Sequence, residues 1–272
     1  MVKKKSLLNR FIQLPAIAFP TISPVALSLG PFNIHWYGIS YCMAIGVGYV
    51  MANASVKKMS INISVSDLIS NVILGVIIGG RLGYVLFYDV SYYMGQPWDI
   101  FAVWKGGMSF HGGALGAFIA TILTCNRFKV PIKQGVDLLA FCVTPGLFFG
   151  RIANFINGEL YGRVSLVPWA MVFPGGGTMP RHPSQLYEAL LEGLGLLLFL
   201  WVILRWFYKP GRLFLCFVMG YAMVRFFVEF TREPDTQLGL LALQLSMGQY
   251  LSLIMILFGM VWAYATSRFN IS

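Results

Sequence analysis

Charge is what this sequence has least of. Asp, Glu, Lys and Arg together make up 11% of its 272 residues, against about 25% in a soluble domain. Too little polar surface remains to wrap a water-facing globule, although the length alone would suit about two such domains. Four cysteines are present, none in a Cys-x-x-Cys pair, and Cys42, Cys125, Cys142 and Cys216 all sit in apolar runs. There they act as small hydrophobes, which excludes a small disulfide-stapled secreted fold. The three histidines, His35, His111 and His182, have no i, i+3 or i, i+4 partner, so no metal site is signalled. A Walker loop, a Gly-x-Ser-x-Gly elbow and a paired-glycine dinucleotide fingerprint are missing as well. No internal repeat is visible, which counts against the paired halves of secondary transporters.

Apolar residues are abundant: 57% of the chain is hydrophobic and the mean hydropathy is +0.71. This is the composition of an integral membrane protein. Stretches of about 20 apolar residues fall near 34–53, 66–88, 108–126, 136–153, 185–206, 212–231 and 246–266. Lipid tolerates only helices or closed barrels, and these runs are too long and too uniformly apolar for barrel strands. The expectation is an all-α, polytopic membrane protein. Its seven-transmembrane-helix bundle forms a single domain over 1–272, with an N-terminal interfacial arm over 1–33. Pro15, Pro20 and Pro24 forbid a regular helix in that arm. A signal-peptide reading of it is weakened by Asn9 and Arg10 within its apolar run.

The net charge of +10 would point to nucleic acid in a soluble protein. Here no basic stretch is long enough to track phosphates, and most bases lie in short loops, so nucleic acid is not expected as a partner. The odd-numbered loops and the C-terminus carry Lys57, Lys58, Arg127, Lys129, Lys133, Arg205, Lys209, Arg212 and Arg268. The even-numbered loops carry Lys105, Arg163, Arg181 and Arg232 beside several acids. The positive-inside rule places the first set in the cytoplasm and the N-terminus outside. The tail bases Lys3, Lys4, Lys5 and Arg10 oppose that assignment.

Within the spans lie Arg81, Arg151 and Arg225 against Glu188, Glu192 and Glu229. Each such charge costs at least about 2.5–3.5 kcal/mol to insert. One reading is three ion pairs that set helix register, with Arg225 and Glu229 paired across one turn. The other is a polar chamber. Tyr221, Arg225 and Glu229 form one stripe; Gln185, Glu188 and Glu192 form a second. Arg151, Asn154 and Asn157 form a third, before Gly158 and Glu159 break the pattern. Arginine suits a phosphate, because its planar fork donates two parallel hydrogen bonds. Small-xxx-small steps at Gly75/Gly79, Gly79/Gly83, Gly112/Gly116 and Gly146/Gly150 predict close helix contacts. His111 stands before Gly112 and Gly113, which would let a substrate or another backbone come near.

The run Gly150-Arg-Ile-Ala-Asn-Phe-Ile-Asn-Gly-Glu-Leu-Tyr-Gly162 closely resembles the signature of bacterial prolipoprotein diacylglyceryl transferases. Further matches follow in the family's order: His35-Trp-Tyr-Gly38, Gly80-Arg-Leu-Gly-Tyr84, Gly106-Gly-Met-Ser-Phe-His-Gly-Gly113 and Arg181-His-Pro-Ser-Gln-Leu-Tyr-Glu188. Gly220-Tyr through Arg225 to Glu229 and Ser246-Met-Gly-Gln249 complete the set. The resemblance implies a seven-helix enzyme of the bacterial inner membrane, N-terminus periplasmic and C-terminus cytoplasmic. Such an enzyme moves the diacylglyceryl group of phosphatidylglycerol onto the lipobox cysteine thiol of a prolipoprotein signal peptide. A thioether forms and glycerol phosphate leaves, the first step of lipoprotein maturation, and no cofactor is implied.

Carried onto this chain, the resemblance makes His111 the base or orienter for the substrate thiol, with Arg151 and Arg225 at the phosphate. Asn154, Glu159, Tyr37 and Tyr221 hold the headgroup or orient the arginines, and Glu229 holds Arg225. Arg81 stays open between ion pair and site. The loop from Trp169 to Pro180 looks shorter than in some members. The rival readings are a lipid or anion transporter with an arginine-lined path, and a scaffold in which every charge is paired.

Overall fold

The computed structural model describes residues 17–234, 239 and 241–268. Helix dominates. The first strands are β1 (Ile17–Ala18), β2 (Val25–Leu29) and β3 (Phe32–His35), followed by α1 (Trp36–Met59), α2 (Val65–Phe87) and the short α3 (Val90–Gly95). Then come α4 (Phe110–Phe128), α5 (Ile132–Ile156), β4 (Met171–Val172), α6 (Ser184–Trp206), α7 (Arg212–Val228) and α8 (Met247–Arg268). Among the described residues six helices are long and apolar enough to cross a membrane: α1, α2, α5, α6, α7 and α8. The chain is therefore a polytopic helical membrane protein. The third expected span, α4, is a regular helix of 19 residues. It is less apolar than the six, because His111, three glycines, Asn126 and Arg127 lie within it.

The described part of the expected arm, from residue 17 on, holds no helix. Residues 1–16, with Lys3, Lys4, Lys5, Arg10 and Pro15, lie outside the described residues. From residue 17 the chain is extended: β1 pairs in parallel with β4, and β2 and β3 form an antiparallel hairpin closed at Gly30, φ +60°. Proline-rich sequence favours this extended backbone. Phe19 packs its ring against Phe155 and Phe173 at centroid distances of 5.3 and 5.2 Å. An all-α expectation misses these small strands because two- to five-residue pairs leave almost no periodic signal.

Packing divides the chain into two units. Of the described residues, the first comprises those in 17–46, 143–202 and 215–268, and the second those in 47–142 and 203–214. In the second unit α2 and α4 pack antiparallel along their glycines. A Cβ placed on Gly75, Gly79, Gly112 or Gly116 would overlap the backbone of the facing helix. Three of the four predicted small-residue steps thus do what their spacing implied. The fourth does not, since Gly146 meets only the Ala44 Cβ at 3.9 Å and Gly150 meets nothing. Ser64 and Ser109 cap α2 and α4, each accepting a backbone N–H at 3.3 Å. Asp137, fully buried on α5, accepts the Gly211 and Phe214 N–H groups at 2.7 Å each and so caps α7.

Arg81, also in the second unit, has no carboxylate partner among the described residues. It instead donates to five main-chain carbonyls. These are Asp99, Ile100 at 2.8 Å, Ala102 at 3.3 Å, Gly106 at 2.5 Å and Gly107 at 3.1 Å. Gly106 and Gly107 adopt φ of +84° and +77°, a conformation that turns their carbonyls toward the guanidinium and that L side chains resist. Of the two readings left open for Arg81, the ion pair finds no carboxylate among the described residues. An arginine's five donors are satisfied as well by a ring of carbonyls as by an acid, and linear spacing does not reveal that ring.

If backbone contact holds α2 to α4, Gly116→Leu should destabilise the protein by about 1–3 kcal/mol through overpacking. Gly46→Ala, where nothing stands within 4 Å of the added Cβ, should be neutral or stabilising by about 0.5–1 kcal/mol. Thermal unfolding of both variants in detergent, followed by circular dichroism, reads the difference.

Candidate functional site

The site in the first unit is built on α5, α6 and α7. Midway through α6, Ala189–Gly195 form a π-helical segment, a feature that recurs at functional sites because it widens a turn and re-aims side chains. Gly193 in this segment lies against the Phe148 backbone of α5, where a Cβ would sit 2.7 Å from the Phe148 Cα. That close approach brings the acidic face of α6 to the arginine face of α5. Glu188 and Glu192 are fully buried.

Three arginines converge on these acids. Arg151 on α5 reaches Glu188 Oε2 from Nη2 at 2.9 Å. Arg225 on α7 places Nη1 2.9 Å from Glu188 Oε2 and 3.3 Å from Glu192 Oε1, and its Nη2 2.9 Å from Glu229 Oε2. Arg232 reaches Glu188 Oε1 from Nη1 at 2.5 Å and Glu229 Oε2 from Nε at 3.3 Å. Ser246 donates to the other Glu229 oxygen at 3.0 Å. Three formal positive charges therefore face three negative ones, and the cluster is neutral.

Arg232 was expected in an outer loop, outside the polar stripes. Instead α7 continues as a tight turn over Glu229–Thr231, so Arg232 joins the face already holding Arg225 and Glu229. Its backbone is pinned by the bridge to Gly162 and by the Arg163 Nε, which donates to the Arg232 carbonyl at 2.6 Å. The i, i+4, i+7 spacing of 225, 229 and 232 was the signal that could have found it.

The arginines are not equally committed. Both terminal nitrogens of Arg225 are held by carboxylates. Arg151 has one nitrogen on Glu188, while its Nη1 reaches Asn154 Oδ1 only at 3.4 Å. With 22% of its side chain exposed against 16% for Arg225 and Arg232, Arg151 keeps the more available donors. Beyond it, α5 ends and Gly158 takes φ +66°, turning Glu159 back over the helix end. Asn154 donates to Glu159 Oε1 at 2.9 Å, and the Tyr37 hydroxyl from α1 bonds both Asn154 and Glu159. The Gln185 amide of α6 donates to the Glu159 carbonyl at 2.6 Å. Tyr221, one turn before Arg225, stacks on Phe217 and lies within the field of the cluster.

Of the residues expected at the site, Tyr37, Arg151, Asn154, Glu159, Tyr221, Arg225 and Glu229 lie in this one unit. His111 lies in the other, exposed in the first turn of α4 with its ring edge-on to Phe110. Its two glycines serve helix packing: Gly112 meets the Gly79 and Gly83 backbones and Gly113 meets Val76. They admit another backbone, the second of the two uses their size allowed. His182, in the loop before α6, has its imidazole pKa lowered by burial. Among the described residues no cluster of His, Cys, Asp or Glu could hold a metal ion.

Because Glu188 serves all three arginines, Glu188→Gln should cost about 3–5 kcal/mol of stability, as breaking a buried ion pair from one side does. The double variant Glu188→Gln/Arg232→Gln, which restores neutrality, should recover part of that loss. Equal thermal midpoints for the single and double variants would remove neutrality as the controlling term.

A family model described as prolipoprotein diacylglyceryl transferase matches residues 24–265. Similar curated proteins carry the name phosphatidylglycerol--prolipoprotein diacylglyceryl transferase. The protein of Geobacter sulfurreducens is 47% identical over 92% of this chain and 97% of its own length. That of Rhodospirillum rubrum is 48% identical over 90% and 93%, and that of Rhizobium meliloti 46% over 94% and 96%.

Proposed function

The chain belongs to the prolipoprotein diacylglyceryl transferase family, and from that premise we propose that it transfers the diacylglyceryl group of phosphatidylglycerol to a prolipoprotein cysteine. The observation that carries the reading is the neutral arginine–glutamate cluster inside apolar helices. An array this costly to bury is retained where an anion must be handled in a low-dielectric site. The acceptor is the lipobox cysteine at the end of a signal peptide.

In the reaction the thiol sulfur attacks the diacylglyceryl carbon that bears the phosphate ester. A sulfur–carbon bond forms, and the carbon–oxygen bond breaks with its electron pair going to the phosphate oxygen. The leaving group is glycerol phosphate. A thiol of pKa about 8.5 is only slightly ionised at neutral pH, so deprotonation needs help. We assign that proton to His111, whose imidazole nitrogen can accept it as a general base.

Arg151 takes the phosphate first, through the donors it has to spare, and so stabilises charge as it gathers on the leaving oxygen. Arg225 joins by exchanging one carboxylate contact for the phosphate. Glu229 and Glu192 then keep its charge compensated. Tyr37, Asn154 and Glu159 form a preassembled hydrogen-bonded group that holds the headgroup glycerol, and Tyr221 packs beside the reacting phosphate.

The same reading makes the chain one functional domain of the bacterial inner membrane with α4 as its seventh crossing. The N-terminus is periplasmic, the C-terminus cytoplasmic, and the arm before α1 lies at the interface. The excess of bases at Lys57, Lys58, Arg127, Lys129 and Lys133 over those of the opposite loops supports this sidedness.

The test is reconstitution in phosphatidylglycerol liposomes with a lipobox peptide, following peptide mass and glycerol phosphate together. A gain of one diacylglyceryl unit with matching glycerol phosphate is expected. Neither product, under conditions where a known transferase turns over, would overturn the reading. Arg151→Lys, which keeps the charge but loses the fork, should lower kcat at least tenfold. His111→Gln should lower the rate about 10²-fold or more with unfolding unchanged, and an unaltered rate would remove His111 from the mechanism.

A further inference from the structure

Between α2 and α4 runs an open apolar groove of about 620 Å³. The glycines that let the two backbones touch also leave its floor bare. Ile78, Leu82 and Ile119 form part of its walls, each roughly half exposed. Phe87 lies at one end. The other carries Arg127 and the Asn71–Thr124 hydrogen bond of 2.9 Å.

From Asn71 to Phe87 the groove follows α2 for about 24 Å at the helical rise. Its glycine floor and aliphatic walls suit a single hydrocarbon chain lying along the two helices.

The polar end decides the headgroup. Among the described residues Arg127 has no carboxylate within ion-pair distance, and its guanidinium lies over the Phe128 ring at 5.6 Å. This contrasts with Arg151, Arg225 and Arg232, all matched by glutamates. Lys57 and Lys58, which end α1, and Lys129, which follows α4, stand at the same end of the second unit. Asp67, one turn before Asn71, does not line the groove.

We infer that this groove is a binding site for one anionic phospholipid, with an acyl chain along α2 and α4 and its phosphate on Arg127. None of its residues belongs to the charged cluster or to the Tyr37–Asn154–Glu159 group, so the inference stands apart from the transfer reaction. An anionic lipid here would neutralise an exposed guanidinium at the membrane surface and fill the valley that the glycines leave open.

The experiment uses the full chain in nanodiscs made mainly of phosphatidylethanolamine. Trace phosphatidylglycerol or phosphatidylethanolamine carries a photoreactive diazirine in its acyl chain, and labelled peptides are mapped by mass spectrometry. Peptides of α2 and α4 should be labelled at least threefold more by the anionic probe than by the zwitterionic one. Arg127→Gln should abolish that preference while labelling of α8 and transferase activity stay unchanged. Ile119→Trp, which fills the groove, should lower labelling of α2 and α4 by both probes. Equal labelling by the two probes would reduce the groove to ordinary lipid contact. A preference that survives Arg127→Gln would overturn the assignment, as would displacement of the anionic probe by an apolar helical peptide.

Discussion

Three guanidinium groups from two helices and the turn beyond them meet the two oxygens of one buried carboxylate, Glu188. Each of these charges alone would be untenable, since moving an ion of this size into a medium of low dielectric costs on the order of 20 kcal/mol before relaxation. Mutual compensation makes the set tolerable, and compensation demands contact within about 3 Å. The relative registers of α5, α6 and α7 are therefore restricted to those that let the charges meet. The π segment of α6 and the bare Gly193 against Phe148 are the backbone adjustments that allow it.

A neutral cluster has a consequence for anion binding. A phosphodiester entering it finds no net positive field, so it must compete for donors that already have partners. The competition is uneven. Arg225 is held at both ends of its fork by acids, whereas Arg151 has an acid at one end and only a 3.4 Å amide contact at the other. An anion binding there would draw its affinity from donors released at small cost, and its selectivity from the acids that pull an ill-placed anion's donors back. Tyr37, Asn154 and Glu159 are satisfied by one another before any ligand arrives, which fixes their geometry at no further entropic cost.

Arg81 and Arg151 look alike in the sequence, each a lone arginine beside glycine in an apolar run, yet they are neutralised by different means. Arg81 collects carbonyls from a loop whose glycines turn inward; Arg151 meets an acid and an amide. Nothing in local spacing separates the two cases, because the loop carbonyls of residues 99–107 carry no side-chain signature. The same limit applied to the glycines beside His111, whose small size was plain from the sequence while the neighbour they admit was not.

Membrane character, helical class, most span positions and the three polar faces were legible without any structure. They follow from composition, from run length against bilayer thickness, and from the 3.6-residue period, all of which are properties of the linear chain. So was the membership of Arg225 and Glu229 in one stripe, since a helix sets that geometry by itself. Apart from the Arg225–Glu229 pair, the partner of each charge, the entry of Arg232 into the cluster, the π turn and the small strands around β1 and β4 were decided only by the tertiary fold. They depend on contacts between residues tens of positions apart, and on backbone groups common to every amino acid, which no residue type announces.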